Sequence, residues 1–140
     1  MSTASTTSMQ GLIGKTTAAV VVAAAGDPLA YDSPQALVKS LGLNLKERSS
    51  GKKQNRGLHI TKRGSGTARM YLYMASLRLI KDDPIVRAWY AKKVARDGGR
   101  AKIKAVVAVT RKLVLALWHV ARGAPFDASK LFDTRRLSLA

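Results

Sequence analysis

The sequence predicts a mostly α, compact helical domain of about five helices, interrupted by a long basic Gly-rich loop. Three observations carry this. Ser33-Pro34 and Asp83-Pro84 each place a side-chain acceptor just before a proline, the order that opens a helix. Glycines at 26, 42, 98 and 99 stand where helices would close in a left-handed residue. Between these signals, apolar residues recur at three- and four-residue spacing, without the strict alternation of a strand.

The elements follow in order. Residues 1–10, MSTASTTSMQ, lack both the basic and the apolar stretch of a secretory signal and read as a disordered leader or a truncation edge. Lys15 to Ala25 is dense in alanine and ends at Gly26, giving a short buried helix that Asp27 and Pro28 stop. Ser33 caps a second helix that runs through Leu37 to Gly42. From Leu43 to Gly66 periodicity disappears, with short strands conceivable around Leu58 to Thr61. A third helix from Thr67 carries apolar residues nearly all round, which predicts burial on most sides and favours core packing over base stacking for Met70, Tyr71, Tyr73 and Met74. Asp83 caps a fourth helix that ends at Gly98 and Gly99. The last runs from about Arg100 to Arg122, apolar except for a basic stripe of Arg100, Lys104, Arg111 and Arg122, which fall within about 40° at the helical repeat. Pro125 ends the regular region. The predicted organisation is a leader over 1–10, one domain over 11–127 and a loosely held tail over 128–140.

Charge is the compositional anomaly. The 140 residues hold 25 Lys and Arg against 8 acidic residues, a formal net charge of +17. A globular chain that repels itself this strongly has a polyanion as its expected partner, and nucleic acid is the leading candidate. There is no cysteine, and the two histidines, His59 and His119, are far apart, so no metal site is expected in this chain. His59 lies among cations that meet phosphate, whereas His119 reads as a satisfied packing histidine. Trp89 and Trp118 read as core or interface anchors. The apolar runs from Ala18 to Ala25 and from Leu113 to Val120 are each about half of the ~20 residues that cross a bilayer. No membrane is expected, and a cytoplasmic location follows, nucleoid-associated when bound.

Two stretches carry candidate chemistry. Gly14-Lys15-Thr16 has the order of a phosphate loop, but that loop needs a glycine at position 9, where Met9 stands, and a buried strand before it. A glycine hairpin feeding a helix fits better. The free N–H groups of Lys15, Thr16 and Thr17 would then face a phosphate, a helix-hairpin-helix-like N-terminal element whose glycines are three rather than two apart and which no helix precedes. A plain glycine-rich helix start is the other reading.

The second stretch is the loop. Residues 46–69 hold eight Lys or Arg and one acid, Glu47. Arg48, Lys52, Lys53, Arg56, Lys62, Arg63 and Arg69 are candidate phosphate contacts, and a serine among them could attack a phosphodiester while the cations stabilise developing charge. From composition alone, a solvated basic loop is the commoner outcome.

The order and spacing of GKTTAAVVVAAAGDP, YDSPQALVKSLGL, ERSSGKK, ITKRGSGTARMYLYMASL, DDPIVRAWYAKKVARDGG and AVVAVTRKLVLALWHVARGAPFD resembles the C-terminal domain of the insertion sequence 110/116/902 transposases. These are DEDD transposases, also described as bridge-RNA-guided recombinases. The resemblance covers about residues 11–127. It implies a DNA-binding domain that supplies a serine nucleophile for strand exchange, here Ser50 immediately before Gly51, with Ser49 its neighbour. It implies as partners DNA, a guide (bridge) RNA, an RNase H-like domain carrying the DEDD carboxylates and their Mg²⁺, and further copies of the chain in a homo-oligomer. That first domain is absent from this sequence, whose eight acids read mostly as caps and turns. The chain is therefore expected to need no cofactor of its own and to be inactive in isolation. The alternative is a non-catalytic nucleic-acid-binding module, a degenerate transposase fragment.

Overall fold

A computed structural model of the chain describes residues 3–43 and 66–135. They form seven α-helices and one 3-10 turn, with no strand among the described residues: α1 Thr3–Ile13, α2 Lys15–Ala25, the 3-10 turn Pro28–Ala30, α3 Pro34–Ser40, α4 Gly66–Asp82, α5 Pro84–Arg96, α6 Lys102–Val120 and α7 Ala128–Leu131.

The capping signals act as the sequence predicts. Ser33 Oγ accepts the Ala36 N–H at 3.2 Å, and Asp83 Oδ1 accepts those of Ile85 at 2.9 Å and Val86 at 3.2 Å. Each such cap is worth about 1 kcal/mol, because it satisfies donors that the first helical turn leaves without a partner. Asp27 does more than stop α2: its side chain accepts the Leu29 N–H at 2.9 Å and opens the 3-10 turn. Gly26, Gly42, Gly98 and Gly99 all have positive φ, where a side chain would strain the backbone.

α6 is the axis of the core. Leu113, Val114 and Leu117 share one core cluster with Leu37, Val38 and Leu41 of α3 and its end, Ala18 and Val21 of α2, and Ala68, Leu72 and Ala75 of α4. A second apolar cluster gathers Val109 of α6, Val86 of α5, Ala128 of α7 and Phe132. Neighbours on several sides are why α6 is apolar almost all round. The buried Thr110 and Ser76 hydroxyls lie 2.9 Å apart between α6 and α4; Ser76 donates to the Leu72 carbonyl, and the single Thr110 proton serves either the Ser76 oxygen or the Val106 carbonyl.

Five expectations are corrected. Residues 3–10 are not a disordered leader: they belong to α1, whose Met9 and Ile13 are 0% and 1% exposed. Their serines and threonines hide a 9, 12, 13 apolar spacing that docks on the core. The tail is not loose through residue 132, since Phe132 is 1% exposed. α4 is buried on one side only. It turns Leu72 and the small residues Ala68, Ala75 and Ser76 inward, towards α2, α5 and α6, and leaves Met70, Tyr71, Met74 and Leu77 between 37% and 63% exposed. His119 is exposed, its ring edge-on to Trp118 with centroids 4.9 Å apart. The expected long final helix is also shorter than read, with Arg100 ahead of it and Arg122 beyond its end.

Candidate nucleic-acid interface

A chain this basic must place its cations somewhere, and the structure sorts them into two kinds. The first kind satisfies helix ends. The last carbonyls of a helix lack intrahelical partners and carry the negative end of its dipole, so a guanidinium or ammonium there answers both needs. Arg69 Nη1 donates to the Leu41 carbonyl, at the end of α3, at 3.1 Å, and Arg111 Nε to that of Leu43 at 2.8 Å. Arg78 reaches the Ile13 carbonyl at the end of α1 in a long 3.5 Å contact, Arg87 binds the Lys81 carbonyl in the last turn of α4, and Lys112 donates to Leu131 at the end of α7 at 3.2 Å.

Arg122 is the most engaged of these. Its guanidinium donates to the carbonyls of Pro28 and Leu29, each at 3.3 Å, of Tyr31 at 2.9 Å and of Trp118 at 3.0 Å. It also stacks 3.6 Å from the Trp118 ring centre, while Trp118 Nε1 donates to the Tyr31 carbonyl at 2.9 Å. The predicted basic stripe of Arg100, Lys104, Arg111 and Arg122 is therefore divided: Arg111 and Arg122 are structural, and the other two are not so engaged.

Lys112 shows the electrostatic cost of this economy. Its ammonium lies 5.6 Å from the ring centres of both Trp89 and Phe132, with Lys93 5.7 Å from Trp89. Burial lowers its pKa first, and the charges of Arg111 and Lys93 lower it further. Burial alone lowers that of Arg69.

The second kind of cation is exposed. At the corner between α1 and α2 a single residue, Gly14 with φ 88°, turns the chain, and its missing side chain leaves the first turn of α2 without a side-chain cap. Lys15 and Thr16 are exposed there, and the Arg78 guanidinium is beside them, 4.0 Å from where a Gly14 Cβ would stand. Thr17 turns its side chain inward, so only its backbone faces that corner. A helix does precede Gly14, contrary to expectation, and Arg78 was not singled out in the sequence because its partner lies 65 residues away.

Of the loop candidates, Arg69 lies in the first turn of α4 and fastens that turn to the end of α3. With Arg111 it holds the points where the chain leaves the described fold at Leu43 and re-enters it at Gly66. Arg48, Ser49, Ser50, Lys52, Lys53, Arg56, His59, Lys62 and Arg63 lie outside the described residues. Among the described residues no group of three or more His, Asp or Glu is placed to hold a metal ion, and no helix is long and apolar enough to cross a membrane. The carboxylates do other work: Asp27, Asp83 and Asp127 cap the helical turns that follow them, and Asp133 pairs with Arg135 at 3.0 Å.

These features define a basic domain, helical with no strand among its described residues, in which Asp27, Asp83, Asp127 and Asp133 serve as caps or pair with Arg135. The model of the transposase IS116/IS110/IS902 family matches residues 6–91, well over half of the chain. The chain belongs to that family. It is similar to the insertion element IS110 uncharacterized 43.6 kDa protein of Streptomyces coelicolor, 26% identical over 125 residues. That alignment takes in 89% of this chain and 30% of the relative, so the chain spans about a third of the relative's length. No solved structure matches.

Proposed function

We propose that this chain is the DNA-binding, serine-bearing part of a transposase, acting with an RNase H-like DEDD domain that this sequence does not contain. The observation that supports it best is the family match over residues 6–91, within which Ser50-Gly51 and most of the loop cations fall. In this reading the corner between α1 and α2 holds a DNA phosphate in the manner of a helix-hairpin-helix element, with Lys15 and Arg78 beside it. The cations Arg48, Lys52, Lys53, Arg56, Lys62 and Arg63 gather the backbone around Ser50, and bridge RNA selects the site. Arg69 acts as a strut at the base of that segment rather than as a phosphate contact. A homo-oligomer brings two DNA ends together.

Ser50 Oγ attacks phosphorus as the P–O bond to one strand breaks. A base of the partner domain takes the serine proton and delivers it to the leaving oxygen, so that strand leaves with a free hydroxyl. The phosphoserine bond keeps the phosphodiester energy for rejoining, and neighbouring cations stabilise the charge spread over the phosphoryl oxygens. Mg²⁺ belongs to the partner domain in this scheme: Asp27, Asp83, Asp127 and Asp133 are engaged as caps or with Arg135, and do not form the converging carboxylate cluster that paired ions require.

The test restores the DEDD domain and compares Ser50→Ala with Ser49→Ala. The first keeps DNA binding and loses both recombination and the covalent protein–DNA adduct on a denaturing gel, and the second keeps all three. An adduct that survives Ser50→Ala refutes the assignment.

A further inference from the structure

A run of cations as dense as that of the loop lies outside the segment that the sequence singles out. Residues 87–104 hold seven Lys or Arg and one acid, Asp97, in 18 residues, against eight cations and one acid in the 24 residues from 46 to 69. The former run is the hairpin of α5 and α6, all of it described. Four of its cations gather at one end: Arg96 in the last turn of α5, Arg100 in the connecting turn, and Lys102 and Lys104 in the first turn of α6. Gly98 and Gly99, with φ 70° and 77°, make that turn tight enough for the Arg100 guanidinium to fold back within 3.8 Å of where a Gly98 Cβ would be.

All four side chains are exposed. Unlike Arg69, Arg78, Arg111, Lys112 and Arg122, none donates to a helix-ending carbonyl, and none has a carboxylate within ion-pair reach among the described residues. For two of them, Lys102 and Lys104, the placement is unfavourable in the free protein. Lys102 and Lys104 stand at the positive end of the α6 dipole, with no acid in that turn and no side-chain cap at Ala101. Like charges crowded at a helix start, without internal partners, are stabilised by a polyanion and by little else.

We propose that this end of the α5–α6 hairpin is a second DNA-binding surface, in which Arg96, Arg100, Lys102 and Lys104 contact the phosphate backbone of duplex DNA. The proposal rests on the reading of this chain as a DNA-binding domain. Its position suits it to act together with the loop. Lys104 and Arg111 are seven residues, about 10.5 Å, apart along α6, and Arg111 binds the carbonyl of Leu43, where the loop leaves the fold. The point where the chain leaves the described fold is therefore fastened to the same helix that carries Lys104. The contacts are to phosphates and carry no sequence information of their own, so they add affinity and register and leave target choice to other parts of the system.

The test is fluorescence anisotropy of the full chain with a mixed-sequence duplex across a sodium chloride series, comparing four proteins that circular dichroism shows to be equally helical. They are the unaltered chain, a hairpin variant (Arg100→Gln, Lys102→Gln, Lys104→Gln), a loop variant (Lys52→Gln, Lys53→Gln, Arg56→Gln) and a control that removes exposed charges elsewhere (Lys39→Gln, Lys81→Gln, Lys130→Gln). Each phosphate contact contributes about 0.9 to the logarithmic salt slope, so the hairpin variant loses about 2 to 3 from it. The control keeps the slope, which separates a binding surface from net charge. A hairpin variant with the slope of the unaltered chain overturns the proposal, even if its binding to RNA falls, and so does a control that loses as much as the hairpin variant. A loop variant that loses slope beside a hairpin variant that does not overturns this proposal alone. An unaltered chain that binds no DNA overturns the reading beneath it as well.

Discussion

Phe132→Ala should destabilise the domain by about 3–5 kcal/mol, although the residue lies in the last ten of the chain. The magnitude comes from its surroundings. Phe132 is 1% exposed, against Val86 of α5, Val109 of α6 and Ala128 of α7. Its ring meets Trp89 edge-on, with centroids 5.0 Å apart and planes at 63°, a geometry that adds about 0.5–1.5 kcal/mol to simple burial. Truncation to alanine leaves a cavity that the helices around it close only in part, because their positions are also fixed by the larger core around Leu113 and Leu117. A domain stable by about 5–15 kcal/mol would thus lose a large share of its margin. The measurement is urea unfolding followed by far-UV circular dichroism, with Phe132→Leu as a companion expected to recover more than half of the loss. A loss below about 1 kcal/mol for the alanine variant would mean that Phe132 does not dock between α5 and α6, and that the chain beyond Pro125 is the loose tail its sequence suggests.

The remaining predictions probe the sorting of side chains. Met74→Glu, at a position 55% exposed, should change unfolding free energy by less than about 0.5 kcal/mol, whereas Leu72→Ala, two residues away and 0% exposed, should cost about 2–5 kcal/mol; equal losses would restore the all-round burial of α4. Arg122→Lys should cost about 1–2 kcal/mol, since an ammonium cannot hold the four carbonyls and stack flat on Trp118 at once; an unchanged denaturation midpoint would show the network to be idle. Lys112 has a folded-state pKa below its unfolded value of 10.5, so between those two values the unfolded chain binds more protons and stability rises with pH. Lys112→Met should remove that alkaline rise, which unfolding curves at several pH values would reveal.

Much of the helical frame is legible in the sequence because its boundaries are set by local chemistry. Ser33-Pro34 and Asp83-Pro84 fix the starts of α3 and α5 through bonds that span two or three residues, and the closing glycines need only their own φ. What is illegible depends on partners distant in the chain. α1 reads as polar because Met9 and Ile13 find their neighbours only once the core assembles. The apolar positions of α4 announce burial without saying which side faces inward; the side that does carries Leu72 flanked by the small residues Ala68, Ala75 and Ser76, against three other helices.

The candidate site divides along the same line, and charge is where sequence reasoning is most easily misled. A count of cations cannot separate Arg69, Arg111 and Arg122, which bind carbonyls 28, 68 and about 90 residues away, from Lys102 and Lys104, which have no such partner. The distinction bears on function. A cation already bonded to a helix end gains less from a phosphate, since it must surrender a protein acceptor to reach it, whereas an exposed, partnerless one surrenders only water and small counterions. Arg69 thus moves from the predicted binding surface to the frame that supports it, while Arg96 and Lys102, which no sequence motif singles out, move the other way. Ser50 belongs to neither group: nothing in its local composition sets it above Ser49, and its proposed role rests on the resemblance of ERSSGKK to the family segment that bears the serine.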